Sequence, residues 1–235
     1  MDKINVNDKS LKDIYLSEGK YGKCFITLDG KSVYKEFFKK NSSCFDSKED
    51  SSVFIFPKIL VCNYKGELTG YLMDYVKGSS FVNMDDNFDL NVLLENLKLI
   101  ENEILNQSIN YMSIVDLHLG NIMIDENNRF KIIDTDSYYY RPETSASNVY
   151  EDNMSHFSNT IINGVLFGIN NNTNIKFKNR LLNNERMECY LGILKPSIFI
   201  ENVLIELSEN YNDELNNIDS LRSNLTRILR KHWFF

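Results

Sequence analysis

The chain has 235 residues, of which 43% are hydrophobic, 25% charged and 12% aromatic, a composition typical of a globular protein and not of a disordered one. Its net charge of −7 argues against a sequence-independent nucleic-acid binder, which needs a basic surface. The four cysteines lie far apart and form no C-x-x-C pair, which predicts reduced thiols, no disulfide framework and no structural zinc site.

The hydrophobic stretches are interrupted by charged residues every few positions, so we expect no membrane-spanning helix. The first residues show no basic start followed by an apolar core, and we therefore expect no secretory signal peptide. These features predict a cytoplasmic protein, and they leave open its delivery into a host cell as an effector.

Short β-branched or aromatic runs follow one another from Tyr15 to about Tyr75. They alternate with turn pairs at Asp29-Gly30 and Lys65-Gly66. This pattern predicts an antiparallel sheet that forms an N-terminal lobe over residues 10–75, approximately.

The period of the hydrophobic pattern then changes to that of a helix. The first predicted helix runs to about Ile109, and its apolar side chains recur every three or four residues, at Leu93, Leu97, Ile100 and Ile104. Three further helical stripes are predicted, formed by Phe157, Ile161 and Val165, by Val203, Leu204 and Leu207, and by Leu221, Leu225, Ile228 and Leu229. The fold class is therefore α+β, a single domain over residues 1–235 with a larger helical C-terminal lobe over residues 79–235, approximately.

A predicted hairpin between these two parts carries polar residues at its ends. Its two apolar strands, IMI and FKII, are joined by a turn at residues 125–128. Asp116 and Asn121 precede the first strand and Asp134 follows the second. Because a hairpin brings its own ends together, we expect the three side chains to converge. Two carboxylates and an amide offer the oxygen ligands that suit a nucleotide-bound Mg²⁺.

This stretch resembles the protein-kinase-like superfamily, in the form of a compact, atypical bacterial-type protein kinase. Residues 116–121 (DLHLGN) are similar to the end of the catalytic loop H-R-D-L-x-x-x-N, and residues 134–136 (DTD) stand where D-F-G is expected. The resemblance implies a bilobal kinase-like fold with ATP and Mg²⁺ as cofactors. It also implies that Asp116 is the catalytic base and that Asn121 and Asp134 are the metal ligands.

Three upstream segments follow in the order that the resemblance requires. Residues 17–24 (SEGKYGKC) resemble the glycine-rich loop, residues 33–35 (VYK) resemble the end of V-A-I-K, and residues 73–78 resemble the hinge between the lobes. By this resemblance Lys35 contacts the α- and β-phosphates and is a catalytic residue, and Met73 is the gatekeeper. The remaining residues implied to contact the nucleotide are the loop glycines Gly19 and Gly22, the apolar walls Cys24, Val33 and Met123, and the backbone of Asp74 and Val76.

The sequence departs from the kinase pattern in the catalytic loop. Ile114 and Val115 replace His and Arg, which argues against control through a phosphorylated activation loop. Asp136 replaces the glycine of D-F-G, either as a second metal ligand or as a solvated carboxylate. His118 either contacts the γ-phosphate or has a structural role.

Two acidic residues are weaker matches to the same family. Glu49 is our candidate for the glutamate that pairs with Lys35, in a segment too short and polar for a convincing helix. Asp152 resembles the helix aspartate that braces the catalytic loop from below.

The predicted activity is ATP- and Mg²⁺-dependent phosphoryl transfer to a hydroxyl. The short stretch between the hinge and Asp116 favours a protein Ser/Thr substrate, because it leaves no room for the substrate helices inserted in antibiotic phosphotransferases. The histidine in D-L-H-x-G-N favours instead a small-molecule phosphotransferase of the aminoglycoside or metabolite type. A third alternative is a pseudokinase that binds a nucleotide or a partner and transfers nothing. The missing glutamate helix supports it, whereas retention of Lys35, Asp116, Asn121 and Asp134 argues against it.

Overall fold

A computed structural model describes residues 1–5, 11–38, 51–167, 188, 191–211 and 215–231. Over these residues the protein is α+β, as predicted, with strands β1 to β11 and helices α1 to α4. The chain divides into two compact units, of which the first comprises Met1–Gly78 and Lys131–Tyr138 and the second comprises Ser79–Phe130 and Tyr139–Phe235. None of the helices that the structure describes is both long and apolar enough to cross a membrane.

The first unit is built on a sheet of six strands in the order β1-β5-β6-β4-β3-β2. The strands are β1 (Asp2–Asn5), β2 (Ile14–Glu18), β3 (Gly22–Ile26), β4 (Ser32–Phe37), β5 (Ile59–Cys62) and β6 (Leu68–Asp74). All neighbouring pairs are antiparallel except β1 and β5, which are parallel. The sheet is therefore mixed. The strands between Tyr15 and about Tyr75 are antiparallel to one another, as predicted, whereas the parallel strand β1 at the edge was not predicted. The reason is that β1 is too short and polar to carry an alternating pattern, and its partner lies far along the chain.

Two tight turns lie where the sequence predicts them. Gly30 and Gly66 adopt positive φ angles of 67° and 74°, a conformation that glycine reaches without a steric penalty. The preceding polar side chains complete these turns. The carboxylate of Asp29 accepts hydrogen bonds from the hydroxyl of Thr27 and the backbone N–H of Lys31, and the amide oxygen of Asn63 accepts one from the N–H of Lys65.

Residues 131–138 join the first unit by backbone hydrogen bonds to residues 53–55. The N–H of Ile55 donates to the carbonyl of Ile132 at 2.8 Å, and the N–H of Ile132 donates to the carbonyl of Val53 at 2.9 Å. Alternate residues of β4 face a buried cluster on one side of the sheet, whose buried members are Val33, Ile55, Tyr71 and Met73. Lys35 belongs to the same alternating set of β4, and its side chain is therefore directed to this face.

The second unit contains helices α1 (Leu90–Ile109), α2 (Ala146–Phe167), α3 (Pro196–Tyr211) and α4 (Ile218–Lys231). Asp89 caps α1, because its carboxylate accepts hydrogen bonds from the N–H groups of Asn91 and Val92. The predicted stripes of α1 and α2 are confirmed as buried faces, and in α3 Val203 and Leu207 are buried while Leu204 is only half-buried. In α4, Leu221 and Leu225 are buried, and the side chains of Ile228 and Leu229 lie outside the described residues.

Five short strands complete the fold: β7 (Gly78–Ser80), β8 (Met112–Ser113), β9 (Ile122–Asp125), β10 (Phe130–Ile132) and β11 (Tyr139–Tyr140). Strands β9 and β10 form the hairpin that the sequence predicts. Its turn is closed by the carboxylate of Asp125, which accepts hydrogen bonds from the N–H groups of Asn127 and Arg129. Strand β11 pairs with β8, which lies just before residues 114–121.

Candidate functional site

Lys35 lies in the middle of β4, with Cys24 of β3 and Tyr71 of β6 as its partners across the sheet. The residue is only 6% exposed, although lysine is rarely buried in proteins. Its ammonium group lies 5.8 Å from the centre of the Tyr71 ring. Lys35 is therefore not a solvated strand lysine.

Two carboxylates contact the Lys35 ammonium. The Nζ atom forms an ion pair with the carboxylate of Asp134 and a second one with Oδ1 of Asp136 at 3.0 Å. The Asp134 side chain is 40% exposed, whereas the Asp136 side chain is 8% exposed. We refer to these three residues as the charge cluster. The alternative that Asp136 is a solvated carboxylate is wrong.

Local structure positions both carboxylates. Asp134 adopts the left-handed conformation, with φ 61° and ψ 41°, and residues 135–137 form a single 3₁₀ turn. The buried hydroxyl of Thr135 donates a hydrogen bond to the carbonyl of Ile55 at 2.8 Å. The ring of Tyr138 packs edge-on against Phe54 and Phe56. Asp136 is thus held between two anchored neighbours.

The electrostatic environment of the charge cluster follows from burial and from its charges. Burial lowers the pKa of Lys35, but the two carboxylates outweigh this effect and the net pKa is raised. Burial raises the pKa of Asp136 more than the ammonium lowers it. Burial and the same two carboxylates raise the pKa of Tyr71. With one ammonium and two ionised carboxylates, the cluster carries a net negative charge, which favours a further cation.

The predicted glycine-rich loop joins β2 to β3. The N–H of Gly19 donates to the carbonyl of Gly22 at 2.9 Å, which closes the turn. A Cβ atom on Gly22 would lie 2.1 Å from the carbonyl oxygen of Glu36, so close strand packing alone requires glycine there. A Cβ atom on Gly19 would meet nothing within 4 Å. Packing therefore explains Gly22 but not Gly19.

Several residues predicted to contact the base belong to the first unit. Cys24 and Val76 pack against the buried cluster that contains Val33 and Met73. Burial raises the pKa of the Cys24 thiol. Asp74 ends β6, and its exposed carboxylate forms an ion pair with Lys58 at 2.6 Å. Met123, the other predicted wall residue, lies on β9 in the second unit and is half-buried.

The candidate catalytic loop, residues 114–121, belongs to the second unit. Asp116 is exposed and adopts the left-handed conformation, with φ 58°. Its backbone carbonyl accepts a hydrogen bond from the amide nitrogen of Asn121 at 2.9 Å. The loop is thus closed by a bond between the candidate base and the candidate metal ligand. Because the nitrogen of the Asn121 amide makes this bond, its oxygen is the atom that a metal would bind.

His118 has a structural contact in this loop. Its Nδ1 atom accepts a hydrogen bond from the N–H of Gly120 at 3.1 Å and so caps the 3₁₀ turn of residues 119–121. This contact supports the structural role of His118, and its contact with a γ-phosphate stays a prediction.

Helix α2 supports the loop through its buried Asn153. The amide oxygen of Asn153 accepts a hydrogen bond from the N–H of Ile114 at 2.8 Å. Its amide nitrogen donates to the carbonyl of Met112 and the hydroxyl of Ser108, both at 2.9 Å. Asp152, which we expected to brace the loop, is exposed and forms an ion pair with Arg141 at 2.8 Å. The expectation for Asp152 was wrong, because this residue lies outside the buried face of α2. The neighbouring residue Asn153 supports the loop instead.

Two further residues of α2 contact the same loop. The hydroxyl of Thr160 donates a hydrogen bond to the carbonyl of Leu117 at 2.7 Å. A Cβ atom on Gly164 would lie 2.6 Å from the side chain of Leu119, so a larger residue there would displace it. Asn153, Thr160 and Gly164 recur at the spacing of one helical face, which also carries Phe157. We refer to Asn153, Thr160 and Gly164 as the α2 support face.

The sequence analysis did not identify the α2 support face or the buried ion pair of Asp136. A signal for Asn153 was present, because it lies four residues before the apolar Phe157 and hence on the same face. Glu49, the candidate partner of Lys35, lies outside the described residues. Among the residues that are described, no group of three or more His, Cys, Asp or Glu side chains could hold a metal ion. Asp134 and Asp136 are two carboxylates of the first unit that lie close together, since both contact the Lys35 ammonium.

No protein-family model matches the sequence, and no curated protein matches it.

Proposed function

We propose that this chain has a bilobal protein-kinase-like fold and transfers the γ-phosphoryl group of ATP to a hydroxyl, with a protein serine or threonine as the acceptor. The observation that carries this proposal is the ion pair between Lys35 and Asp134, which lie 99 residues apart in sequence. The resemblance of the sequence motifs assigns Lys35 to the α- and β-phosphates of a nucleotide and Asp134 to its Mg²⁺. Their contact in the first unit supports that assignment.

Backbone conformation gives further support. Among the residues that the structure describes, four residues other than glycine have positive φ angles, and two of these are Asp116 and Asp134. Such conformations cost free energy and cluster at functional sites. The candidate base and the candidate metal ligand thus share an uncommon conformation, which supports a role for both.

The proposed roles follow from the chemistry of these side chains. Asn121 and Asp134 supply oxygen ligands for Mg²⁺, which neutralises the phosphate charge and orients the γ-phosphoryl group when it is bound. Lys35 contacts the α- and β-phosphates. Asp116 accepts the proton of the acceptor hydroxyl while the hydroxyl oxygen bonds to the γ-phosphorus. The bond between that phosphorus and its bridging oxygen breaks, and ADP leaves.

The deciding experiment is transfer of label from γ-labelled ATP by the purified chain in the presence of Mg²⁺. A lysate of the organism that encodes the chain, divided into macromolecular and small-molecule fractions, supplies the acceptors. Asp116→Asn is the matched control, because asparagine tolerates the left-handed conformation and removes only the charge. Label in protein bands that disappears with this variant is the expected result.

The rival functions give different results in the same experiment. Label in the small-molecule fraction alone would replace the protein acceptor with a small-molecule hydroxyl. One observation favours this rival, since only residues 135–145 separate Asp134 from the start of α2 and leave little chain to bind a peptide. Absence of label in both fractions, together with ATP binding, would favour a pseudokinase.

A further inference from the structure

The two carboxylates of the charge cluster contact the same ammonium group in different surroundings. Asp136 is almost fully buried, and its Oδ1 atom lies 3.0 Å from Nζ of Lys35. Asp134 leaves 40% of its side chain open to solvent. A ligand can therefore approach Asp134 directly, whereas Asp136 is reached only after neighbouring atoms move.

The segment around Asp136 is also fixed on both sides. Thr135 is hydrogen-bonded to the backbone of residue 55, and the ring of Tyr138 is packed against two phenylalanines. The backbone of Ile132 is bonded to residues 53 and 55. Asp136 thus has little freedom to follow a ligand.

A buried carboxylate is costly to leave without its cation, because the ionised group has lost its water. The Lys35 ammonium is buried as well and faces the same cost. The pair of Lys35 and Asp136 is therefore expected to stay together when other partners change. When Lys35 exchanges a partner, we expect it to lose the more exposed contact, which is the ion pair with Asp134.

We propose that Asp136 is a positioning residue that holds Lys35 in place, and that Asp134 is the carboxylate that leaves the lysine when a nucleotide and its cation bind. This inference rests on the proposed function, because it divides the work of the same site between two aspartates. In this proposal Asp136 binds neither the metal ion nor the hydroxyl that accepts the phosphoryl group. Lys35 keeps its anchor while it gains phosphate oxygens in place of Asp134.

The first test is a double-mutant cycle of thermal unfolding, measured without nucleotide and without metal. The variants are Lys35→Met, Asp136→Asn and the double variant. Lys35→Met leaves the buried carboxylate of Asp136 without its cation, and Asp136→Asn leaves the buried ammonium with only the more exposed carboxylate of Asp134. Each single variant is expected to lower the melting temperature by roughly 5 °C or more. The double variant is expected to lose less than the sum of the two. Additive losses would overturn the proposal.

A parallel cycle with Asp134→Asn is the matched comparison, because asparagine keeps the left-handed backbone of residue 134. Its coupling with Lys35→Met is expected to be smaller, since solvent screens the exposed carboxylate. A coupling larger than that of Asp136 would reverse the two roles. Should Asp136→Asn fail to fold, Lys35→Arg and Asp136→Glu complete the cycle with both charges kept, again with less than additive losses expected.

The second test measures the dissociation constant of ATP with EDTA and with excess Mg²⁺. Asp136→Asn is expected to weaken ATP binding by a similar factor, about tenfold, in both conditions, because it disturbs only the lysine. Asp134→Asn is expected to lose the gain in affinity that Mg²⁺ gives. If Asp136→Asn also loses that gain, Asp136 is a metal ligand and the proposal is wrong.

The two tests separate this inference from the proposed function. A wild-type chain that binds no ATP under either condition contradicts the proposed function. A less than additive loss in the unfolding cycle would still support Asp136 as the anchor of Lys35, because that cycle contains neither ATP nor metal.

Discussion

The two acidic regions of this chain are held in place by different forces. In the charge cluster of the first unit, ion pairs fix the side chains of Lys35 and Asp136 in a buried environment. In the loop of residues 114–121, the carboxylate of Asp116 is exposed, and hydrogen bonds to backbone carbonyl and N–H groups fix the loop. Charge is therefore largely buried and paired in the first region and exposed to solvent in the second. Substitutions that remove charge are expected to act differently in the two.

The largest effect is expected from Asp116→Asn. Loss of a positioned general base lowers the rate of phosphoryl transfer by about 10³-fold, within the usual range for such groups. The free energy of unfolding is expected to change by less than about 0.5 kcal/mol, because the side chain is exposed and asparagine tolerates its backbone conformation. Transfer assays and urea denaturation of the same preparation measure the two quantities. A large loss of stability would show that the carboxylate also supports the loop.

The next effect is expected at the α2 support face. Asn153→Ala removes three buried hydrogen bonds and leaves an N–H and a carbonyl of the loop segment without their partner. We expect a loss of about 3 kcal/mol in the free energy of unfolding, measured by urea denaturation. Asp152→Ala is the matched control one residue away, and it should unfold close to wild type because its ion pair is exposed. Equal losses in both variants would contradict the assignment of Asn153.

A smaller effect is expected from Thr160→Val. This substitution keeps the shape of the side chain and removes the hydroxyl that donates to the carbonyl of Leu117. The free energy of unfolding should fall by about 1 kcal/mol, and Thr160→Ser should restore most of it. Because the bond holds the residue next to Asp116, the rate of transfer should fall with little change in the KM for ATP. If Thr160→Val raises the KM for ATP and leaves the rate unchanged, Thr160 does not act by holding the residue next to Asp116.

The smallest effect concerns Glu101, a buried carboxylate of the second unit that accepts hydrogen bonds from the N–H and the hydroxyl of Ser197. Burial raises the pKa of Glu101 above its ordinary value of 4.5. The folded state therefore favours the protonated form. Ionised Glu101 begins to cost stability as the pH rises above the unfolded pKa, and the cost is complete above the raised folded pKa.

Glu101→Gln removes this titration. Its amide oxygen can accept from the N–H of Ser197, and its NH2 group can donate to the Ser197 hydroxyl oxygen, so the second hydrogen bond is kept with its direction reversed. The stability of the variant relative to wild type is expected to increase as the pH rises from below 4.5 through the raised pKa. Urea denaturation of both proteins at a series of pH values measures the difference. A difference that stays constant with pH would show that Glu101 has the same pKa in the folded and unfolded chain.

Local patterns allowed much of the second unit to be predicted from the sequence. The spacing of Leu93, Leu97, Ile100 and Ile104 identifies α1 and its buried face, because helical periodicity is a property of neighbouring residues. The hairpin of β9 and β10 was predicted for the same reason, together with the positions of Asn121 and Asp134 at its ends. The sequence also shows that Asn153, four residues before Phe157, lies on the apolar face of α2. The prediction of Asp152 as the bracing residue did not take this spacing into account.

Long-range pairings could not be predicted in this way. Strand β1 pairs in parallel with β5, and nothing in its four residues indicates a partner beyond residue 58. The burial of Asp136 depends on Lys35, which lies 101 residues earlier in the chain. The sequence left open whether Asp136 is a second metal ligand or a solvated carboxylate, and only the tertiary structure distinguishes a buried carboxylate from an exposed one.

The division of the first unit between two stretches of sequence has a consequence for synthesis of the protein. The unit needs residues 131–138 as well as residues 1–78, and these later residues contain both aspartates of the charge cluster. During synthesis, the ion pairs of Lys35 therefore cannot form until residues 134 and 136 have emerged from the ribosome. A fragment that ends at Gly78 carries the lysine without these counter-charges and lacks residues 131–138 of the first unit, so cutting the gene there does not yield the complete unit.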